Sequence, residues 1–464
     1  MEAVKAKRSM FGKKAVDMTE GSVVKHLIKF AIPIVFGSLL QQLYNIVDTW
    51  VVGNYVSDEA FSAVGTVSPI IYFLISFSLG FATGTGVVVA QYFGAKEYGG
   101  VKKTVHTAIG VSVLMGLVLT VVGILLVPSL LNFMGTPENV FDDAEMYLSV
   151  YFSSSLGLVV YNVGAGILRA IGDTRSPSYF VAVTAIVNTV LDLVFVLVFD
   201  MGVFGVGLAT AIAQFISAIL VIVSMMRTNS CIKLDPKKIR IEKRILSKIL
   251  RIGLPSGIQV AIGALSNVFV QAYINYFGMY AMGGWTAFSK IEQFAQVPFQ
   301  AIAMASTTFV GQNLGSNNVK RVRKGATTAL FLAIACTTAI VIPLCIFAPS
   351  AVTFFNKDTD IISYGALFIR LLTPMYFLVC INNIYEGAIR AAGRSGAAMA
   401  ITVGGYVVFR QIYLFVMKNY ISNTIIPIVI GYPAGWMVCT IALLIYYNRF
   451  NMSKGRLVED KERA

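Results

Sequence analysis

Charged residues are scarce in this chain. Only 13% of the 464 residues are Asp, Glu, Lys or Arg, and only two are histidine, whereas an ordinary soluble domain has about 25% charged residues. The five cysteines are scattered without a CxxC pair, so that neither a disulfide framework nor a zinc site is implied. With 56% hydrophobic residues and a mean hydropathy of +0.74, the composition indicates a polytopic membrane protein.

Motifs of enzymes and of ATP-driven pumps are missing as well. The two histidines form no HExxH-like pattern, and the glycine-rich stretch at 78–86 is not a phosphate loop because no strand precedes it and no GKS or GKT follows. Close packing of helices is the simpler explanation for these glycines. The net charge of +14 lies in short segments between apolar runs, which argues against nucleic acid as a partner. We therefore expect neither an enzyme nor a bound cofactor.

Twelve apolar runs are long enough to cross a bilayer at about 1.5 Å per residue. They fall at about 26–53, 60–92, 101–128, 142–168, 178–199, 205–227, 248–277, 282–313, 321–348, 361–389, 397–418 and 424–448. Basic residues concentrate in the segments on the side of the termini, and acidic residues in the loops on the other side. The positive-inside rule then predicts a multi-pass protein of the plasma membrane with both termini cytoplasmic.

The two halves of the chain are repeats at an offset of about 221 residues, since LRAIG at 168–172 matches IRAAG at 389–393. Each half has an even number of crossings, so the repeats are parallel and a site at or between the lobes is expected. The predicted fold is an all-α integral membrane protein with twelve transmembrane helices in two pseudo-symmetric six-helix lobes. Its divisions are a cytoplasmic segment 1–25, an N-lobe 26–227, a cytoplasmic linker 228–247, a C-lobe 248–449 and a cytoplasmic tail 450–464.

Two carboxylates lie inside apolar runs. Asp192 follows Asn188 by one turn, while Asp48 and Thr210 belong to the first and sixth runs. Asp48, Asp192 and Thr210 lie roughly 8 to 12 Å below the outer surface by helical rise. Intramembrane carboxylates are costly and mark functional sites, although local pairing or capping is an alternative for each. Their oxygens suit a hard cation such as Na⁺, and two close carboxylates can instead hold a proton. The neutral oxygens of Asn188 and Thr210 favour Na⁺ slightly.

These residues lie in patterns that resemble the multidrug and toxic compound extrusion (MATE) family. The patterns are YNIVDTWVVG at 44–53, ILRAIGDT at 167–174, VNTVLD at 187–192, GLATAIAQ at 207–214 and GQNLG at 311–315. The likeness covers nearly the whole chain and is greatest for the prokaryotic branch related to the DNA-damage-inducible F proteins.

The resemblance implies a secondary transporter that exports organic cations and other drugs against a Na⁺ or H⁺ gradient. It implies an N-lobe cation site of Asp48, Asn188, Asp192 and Thr210. The C-lobe carboxylate that some branches use has no match here, since the repeat partners of Asp48 and Asp192 are near Val270 and at Tyr413.

Eight residues are candidates for lining a substrate cavity: Tyr44, Tyr161, Tyr273, Lys290, Glu292, Phe294, Phe299 and Arg410. Aromatic rings can hold flat cations through cation–π contact, although packing between helices explains each ring as well. Lys290, Glu292 and Arg410 lie at a similar depth, roughly 9 to 12 Å. We expect Arg410 to bond Glu292 and Lys290 to face the cavity; alternatively, Lys290 extends to the membrane surface and Arg410 bonds backbone carbonyls. We expect an ordinary i,i+4 ion pair between Glu386 and Arg390.

The predicted function is a monomeric, cation-coupled multidrug efflux antiporter that exports amphipathic or cationic organic compounds by alternating access. A flippase for lipid-linked precursors is the main alternative, but it needs a basic central cavity, and the basic residues are mostly assigned to the cytoplasmic rim. A dedicated metabolite exporter is a second alternative. A membrane-embedded enzyme lacks the motifs that it would need.

Overall fold

The computed structural model describes residues 15–56 and 58–458, and within them all regular structure is helical. The α-helices are α1 Val23–Tyr55, α2 Asp58–Gly94, α3 Tyr98–Phe133, α4 Glu138–Ser153, α5 Ser155–Ala170, α6 Arg175–Leu193, α7 Gly202–Arg227, α8 Lys243–Asn275, α9 Met279–Gly315, α10 Val319–Ile346, α11 Ala348–Thr353, α12 Thr359–Leu372, α13 Tyr376–Ala391, α14 Ser395–Val403, α15 Arg410–Val416 and α16 Ile425–Arg449. Short π-helices extend α6 at Val194–Val198, follow α14 at Gly404–Phe409 and follow α15 at Met417–Ile421.

The described helices supply twelve crossings. Ten segments are long and apolar enough to span a membrane, and α4 with α5, bent by 45°, forms an eleventh. The twelfth is α9, whose 37 residues exceed the roughly 20 that a bilayer requires, although it carries Lys290 and Glu292. Six crossings precede the linker and six follow it. This confirms the expected class of twelve helices in two lobes.

Both termini and the linker lie at one end of the bundle, because each lobe has an even number of crossings. We call this the termini end, formed by residues 15–22, 228–242 and 450–458, and the other the far end. The linker is fixed to the start of α3, where Lys103 pairs with Glu242 at 3.3 Å. The hydroxyl of Thr107 donates to the carbonyl of Arg240 at 3.2 Å. The linker is thus packed on the N-lobe.

Glycines on α2 bring the two lobes into backbone contact. A Cβ at Gly80 would lie 2.5 Å from the amide nitrogen of Gly257, and one at Gly84 would lie 2.4 Å from the carbonyl oxygen of Ile249. These separations are too short for any side chain larger than hydrogen. The close packing predicted for the glycine-rich stretch is confirmed, and it joins α2 to α8 across the lobes.

The contact between the lobes continues to the termini end but not to the far end. A Cβ at Gly94 would lie 1.8 Å from the carbonyl oxygen of Gln312, and one at Gly315 would lie 1.9 Å from that of Gln91. Nearer the far end, a Cβ at Gly65 of α2 or at Gly263 of α8 would meet nothing within 4 Å. The lobes therefore touch at the termini end and leave a cleft toward the far end.

Helix α1 crosses from one lobe to the other. Leu27 and Phe30, near its start, are buried in a cluster with Phe309 of α9 in the C-lobe. Val51, near its end, is buried in a cluster formed by the N-lobe helices. Asp48 is therefore carried to the far-end half of the N-lobe, beside α6.

Candidate functional site

The carboxyl groups of Asp48 on α1 and Asp192 on α6 lie within hydrogen-bonding range of each other. Asp192 is 0% exposed, and among the described residues no donor bonds either of its oxygens or Oδ1 of Asp48. Two ionised carboxylates cannot hydrogen-bond each other because neither carries a proton, and they repel strongly where the dielectric constant is low. The pair is therefore suited to hold a proton or a metal cation.

The other two predicted ligands lie next to this pair along the chain or on a neighbouring helix. Asn188 precedes Asp192 by one turn and is buried, and neither atom of its amide has a hydrogen-bond partner among the described residues. Thr210 on α7, which packs on α6, lines the same cavity as Asp48. Two carboxylates, an amide and a hydroxyl suit a hard cation such as Na⁺. Cation binding by this set of residues stays a prediction.

The helix that carries Asp192 changes its winding directly after the carboxylate. Residues Val194–Val198 form a π-helix, which begins two residues beyond Asp192. Single π-turns inside α-helices occur often at functional sites, since they break the regular backbone ladder. The local geometry therefore agrees with a site at Asp192.

A cavity of about 570 Å³ opens on Asp48. Its wall includes Tyr44, Tyr161 and Thr210 from the predicted set. Tyr44 and Tyr147 are within electrostatic range of both carboxylates. A cavity of this size suits a small organic molecule, and aromatic walls beside two carboxylates suit an organic cation in particular.

The sequence analysis missed several residues of this cavity. Tyr147 and Tyr151 of α4 and Asn162 of α5 line it, but no pattern around them marks them out in the sequence. Arg169 also lines it, although its place near the end of a span groups it with the basic residues on the side of the termini. Only the repeat pattern LRAIG could have drawn attention to Arg169.

The expected bond between Arg410 and Glu292 is wrong. Arg410 Nη2 donates to Ser266 Oγ at 2.6 Å and to Asn267 Oδ1 at 3.0 Å. Its guanidinium also lies 4.5 Å from the ring centroid of Tyr432. Neutral acceptors and an aromatic face thus surround the guanidinium, and its Nε has no hydrogen-bond partner among the described residues. The alternative expectation, that Arg410 bonds backbone carbonyls, is wrong as well, because both acceptors are side-chain oxygens.

Glu292 has neutral partners of its own. It accepts from Tyr376 Oη at 3.0 Å and from Gln296 Nε2 at 2.8 Å. Lys290 is exposed and makes no hydrogen bond or ion pair with any described residue. Arg410, Glu292 and Lys290 therefore lie at a similar depth but do not form the expected charged cluster.

The aromatic candidates of the C-lobe do not line the 570 Å³ cavity. Phe299 is 1% exposed and packs edge-on against Tyr376, so its assignment to a cavity is wrong. Tyr273 lies under the ammonium group of Lys418, 5.3 Å from the ring centroid, and Phe294 is half-buried.

The ion pair expected between Glu386 and Arg390 is confirmed. Thr402 Oγ1 also donates to Glu386 Oε2 at 3.2 Å. The repeat partners of the N-lobe carboxylates, Val270 and Tyr413, pack within the C-lobe core, as the sequence analysis indicates for a lobe without a matching carboxylate.

Known proteins resemble this chain along nearly its whole length. The MatE family model matches it twice, at residues 33–194 and 255–416, one match for each repeat. The probable multidrug resistance protein YpnP of Bacillus subtilis is 26% identical over 441 residues, which cover 95% of this chain and 99% of the relative. The multidrug export protein MepA of Staphylococcus haemolyticus is 23% identical over 447 residues, with 95% and 97% covered.

Solved structures share the fold. One, of a multidrug resistance MATE family transporter in an outward-facing conformation, superposes with a TM-score of 0.88 at 23% identity and covers 94% of this chain and 97% of its own. Another, of a MOP superfamily transporter from Pyrococcus furiosus, superposes with a TM-score of 0.90 at 22% identity, with 96% and 99% covered. Transport rather than enzymatic activity is the family's function. The chain belongs to the MatE family, the multidrug and toxic compound extrusion transporters.

Proposed function

We propose that this protein is a cation-coupled efflux antiporter that exports amphipathic or cationic organic compounds by alternating access. The observation that carries the proposal is the Asp48 and Asp192 pair: no described donor bonds either oxygen of Asp192 or Oδ1 of Asp48, and Asp48 lines a cavity of drug-sized volume. Binding of a monovalent cation offsets one of the two negative charges of the pair and so changes the charge of the cavity wall. A coupling ion and an organic cation then compete for the same negative charge, which is the simplest basis for exchange transport.

Na⁺ is the favoured coupling ion. A proton needs only one carboxylate oxygen, whereas Na⁺ requires several oxygen ligands, and Asn188 and Thr210 add neutral oxygens near the carboxylates. When bound, Na⁺ supplies the positive charge that offsets the repulsion within the pair. The protein's part is to hold four oxygen-bearing side chains from α1, α6 and α7 close together.

We place the termini end in the cytoplasm, with the protein in the plasma membrane and active as a monomer. The basic residues of 227–251 support this orientation through the positive-inside rule. The described cleft then opens to the outside, the state in which an exporter releases its substrate and takes up the coupling ion.

A flippase for lipid-linked pyrophosphates is less consistent with the charges of the cavity. Asp48 and Asp192 bring negative charge to the 570 Å³ cavity, whose wall carries one basic side chain, Arg169. Arg390 lies nearby, at the contact between the lobes that we call the seam, but it is paired with Glu386. A pyrophosphate would require a surplus of positive charge.

Export from proteoliposomes tests the proposal, with ethidium as the organic cation and an imposed Na⁺ or H⁺ gradient. Asp192→Asn keeps the shape but removes the charge, so we expect gradient-driven export to fall at least tenfold. Asp142→Asn, the same change at an exposed position of α4, should leave export unchanged. Undiminished export by Asp192→Asn would refute the role of the pair, and export that follows pH but ignores Na⁺ would refute Na⁺ coupling.

A further inference from the structure

Arg169 is a basic side chain turned into the interior of the transporter. It belongs to the last turn of α5. It lines the 570 Å³ cavity that contains Asp48, and it also lines a smaller cavity of about 140 Å³ between the lobes. An arginine in this position is costly unless an anion or acceptor satisfies it.

No such partner exists within the described chain. Arg169 makes no hydrogen bond or ion pair with any described residue. Tyr161 is within electrostatic range, but its hydroxyl donates to the carbonyl of Pro177 at 3.3 Å. Carbonyls at the end of α5 attract a cation only weakly compared with a carboxylate. The guanidinium therefore offers its donors to the cavity.

The second repeat shows what a satisfied arginine looks like at the equivalent position. Arg390 matches Arg169 in the repeat, and it pairs with Glu386 one turn earlier. The residue that matches Glu386 in the N-lobe is Ala165. The N-lobe thus keeps the arginine but lacks its counterion, and its arginine lines the cavity that contains Asp48.

We infer that Arg169 anchors an acidic group, a carboxylate or similar oxyanion, of the exported molecule. The inference rests on the proposed function and narrows its substrates to amphipathic molecules that carry an acid as well as a cationic or polar end. A planar guanidinium binds a carboxylate through two parallel hydrogen bonds.

The dimensions of the cavity fit such a molecule. Along α1 the wall runs from Ile34 to Asp48, which is roughly 21 Å at the helical rise of about 1.5 Å per residue. A volume of about 570 Å³ exceeds what a single inorganic anion occupies. The occupant is therefore an organic molecule, with its acid at Arg169 and its other end toward Asp48.

A pair of dyes that differ only at the acid tests this assignment. Rhodamine B has a free carboxylate, and in its ethyl ester the carboxylate is blocked. We expect the purified protein, in fluorescence polarisation, to bind the acid at least tenfold more tightly than the ester. Arg169→Gln should abolish that preference. Ala165→Glu should abolish it too, because it supplies the internal counterion that Arg390 already has.

A control variant at Ala165 distinguishes the effect of the added charge from damage to packing. Ala165 is 0% exposed, so Ala165→Gln, which has the size of glutamate without its charge, reports damage to packing and should keep the preference for the acid. Equal binding of acid and ester by the wild type, or a preference that survives in Arg169→Gln, would overturn the proposal.

Two further measurements identify the source of the anion and distinguish a failure of this inference from a failure of the proposed function. If phosphatidylglycerol nanodiscs or free phosphate abolish the preference that neutral phosphatidylcholine nanodiscs preserve, the site takes phosphate, and the assignment to substrate is wrong. Gradient-driven export of the ester by the wild type should be intact, since the proposed function does not require an acid on the substrate. Equal binding of acid and ester by a wild type whose coupled export is intact would refute only this inference, whereas absence of coupled export in the wild type would refute the proposed function.

Discussion

Gln91 and Gln312 occupy equivalent positions in the two repeats, and each reaches the last turn of a helix in the opposite lobe. Gln91 Nε2 donates to the carbonyl of Ala391 at 2.7 Å, and Gln312 Nε2 donates to that of Ala170 at 2.9 Å. Both glutamines are 0% exposed. The pseudo-symmetry of the chain is thus repeated in the bonds that close its termini end.

The chain termini complete these two bridges. The amide of Leu457 donates to Gln91 Oε1 at 2.6 Å, and the amide of Met18 donates to Gln312 Oε1 at 2.9 Å. Opening of the cleft toward the termini end must break both bridges, because each one joins the lobes. The segments around Met18 and Leu457 therefore stabilise the conformation described here.

Gln91→Leu should shift the protein toward a state open at the termini end. The substitution leaves buried backbone groups of Ala391 and Leu457 unpaired only while the lobes are closed, at a cost of about 1–3 kcal/mol for each group. A cysteine at Thr308, which lines the small cavity at the seam, should then react faster with an impermeant maleimide added on the termini side. The native cysteines are replaced beforehand.

The control is Gln293→Leu, the same change at an exposed position of α9 without a hydrogen bond to any described residue. It should leave the labelling rate unchanged. An equal labelling rate in Gln91→Leu and the control would show that the glutamine bridges do not hold the seam.

Na⁺ should stabilise the wild type against thermal unfolding. A ligand that binds only the folded state stabilises it by about 2.7 kcal/mol at a concentration 100 times its Kd, and the Asp48 and Asp192 pair supplies the charge for this binding. The Tm should rise with NaCl relative to choline chloride at equal ionic strength. Asp192→Asn should remove the difference between the two salts. A rise that choline reproduces, or that Asp192→Asn retains, would contradict Na⁺ binding at the pair.

The depth of a residue could be predicted from the sequence, because helical rise converts a residue count into a distance from the membrane surface. This argument put Asp48 and Asp192 at one level, and the structure brings their carboxyl groups within hydrogen-bonding range. The same argument failed for Arg410 and Glu292. Equal depth does not fix the direction in which a side chain points, and Arg410 points toward Ser266 on α8.

The cavity wall could not be predicted for a related reason. Tyr147 and Tyr151 reach it beside a 45° bend between α4 and α5, and neither composition nor spacing encodes that bend. Arg169 was misplaced because a basic residue near the end of a span is normally assigned to the membrane surface. Its side chain instead lies along the interior of the bundle, where the packing of both lobes decides its surroundings.

Gly80→Ala should destabilise the closed seam. The added methyl would lie 2.5 Å from the backbone nitrogen of Gly257, so α2 and α8 must separate, at a cost of about 1–3 kcal/mol. Gly65→Ala is the matched control on the same helix, where the methyl meets nothing within 4 Å. There the higher helix propensity of alanine should stabilise by up to about 1 kcal/mol. Thermal unfolding in detergent compares the two, and equal effects would argue against a tight seam in solution.

Arg410 should be coupled energetically to Tyr432 more strongly than to Glu292. Its guanidinium lies 4.5 Å from the centroid of the Tyr432 ring, and a buried cation–π contact is worth about 2 kcal/mol. Glu292 bonds Tyr376 instead. A double-mutant cycle of Arg410→Ala with Tyr432→Leu should therefore give a coupling energy of about 0.5–2 kcal/mol.

The matched cycle, Arg410→Ala with Glu292→Gln, should be additive within about 0.5 kcal/mol, because the two side chains have separate partners. Each cycle compares the thermal unfolding of the wild type, the two single variants and the double variant. The effect of losing Arg410 alone then cancels from the coupling energy. A coupling to Glu292 as large as that to Tyr432 would mean that the charges interact across the C-lobe despite their separate hydrogen bonds. It would restore the charged cluster that equal depth suggests.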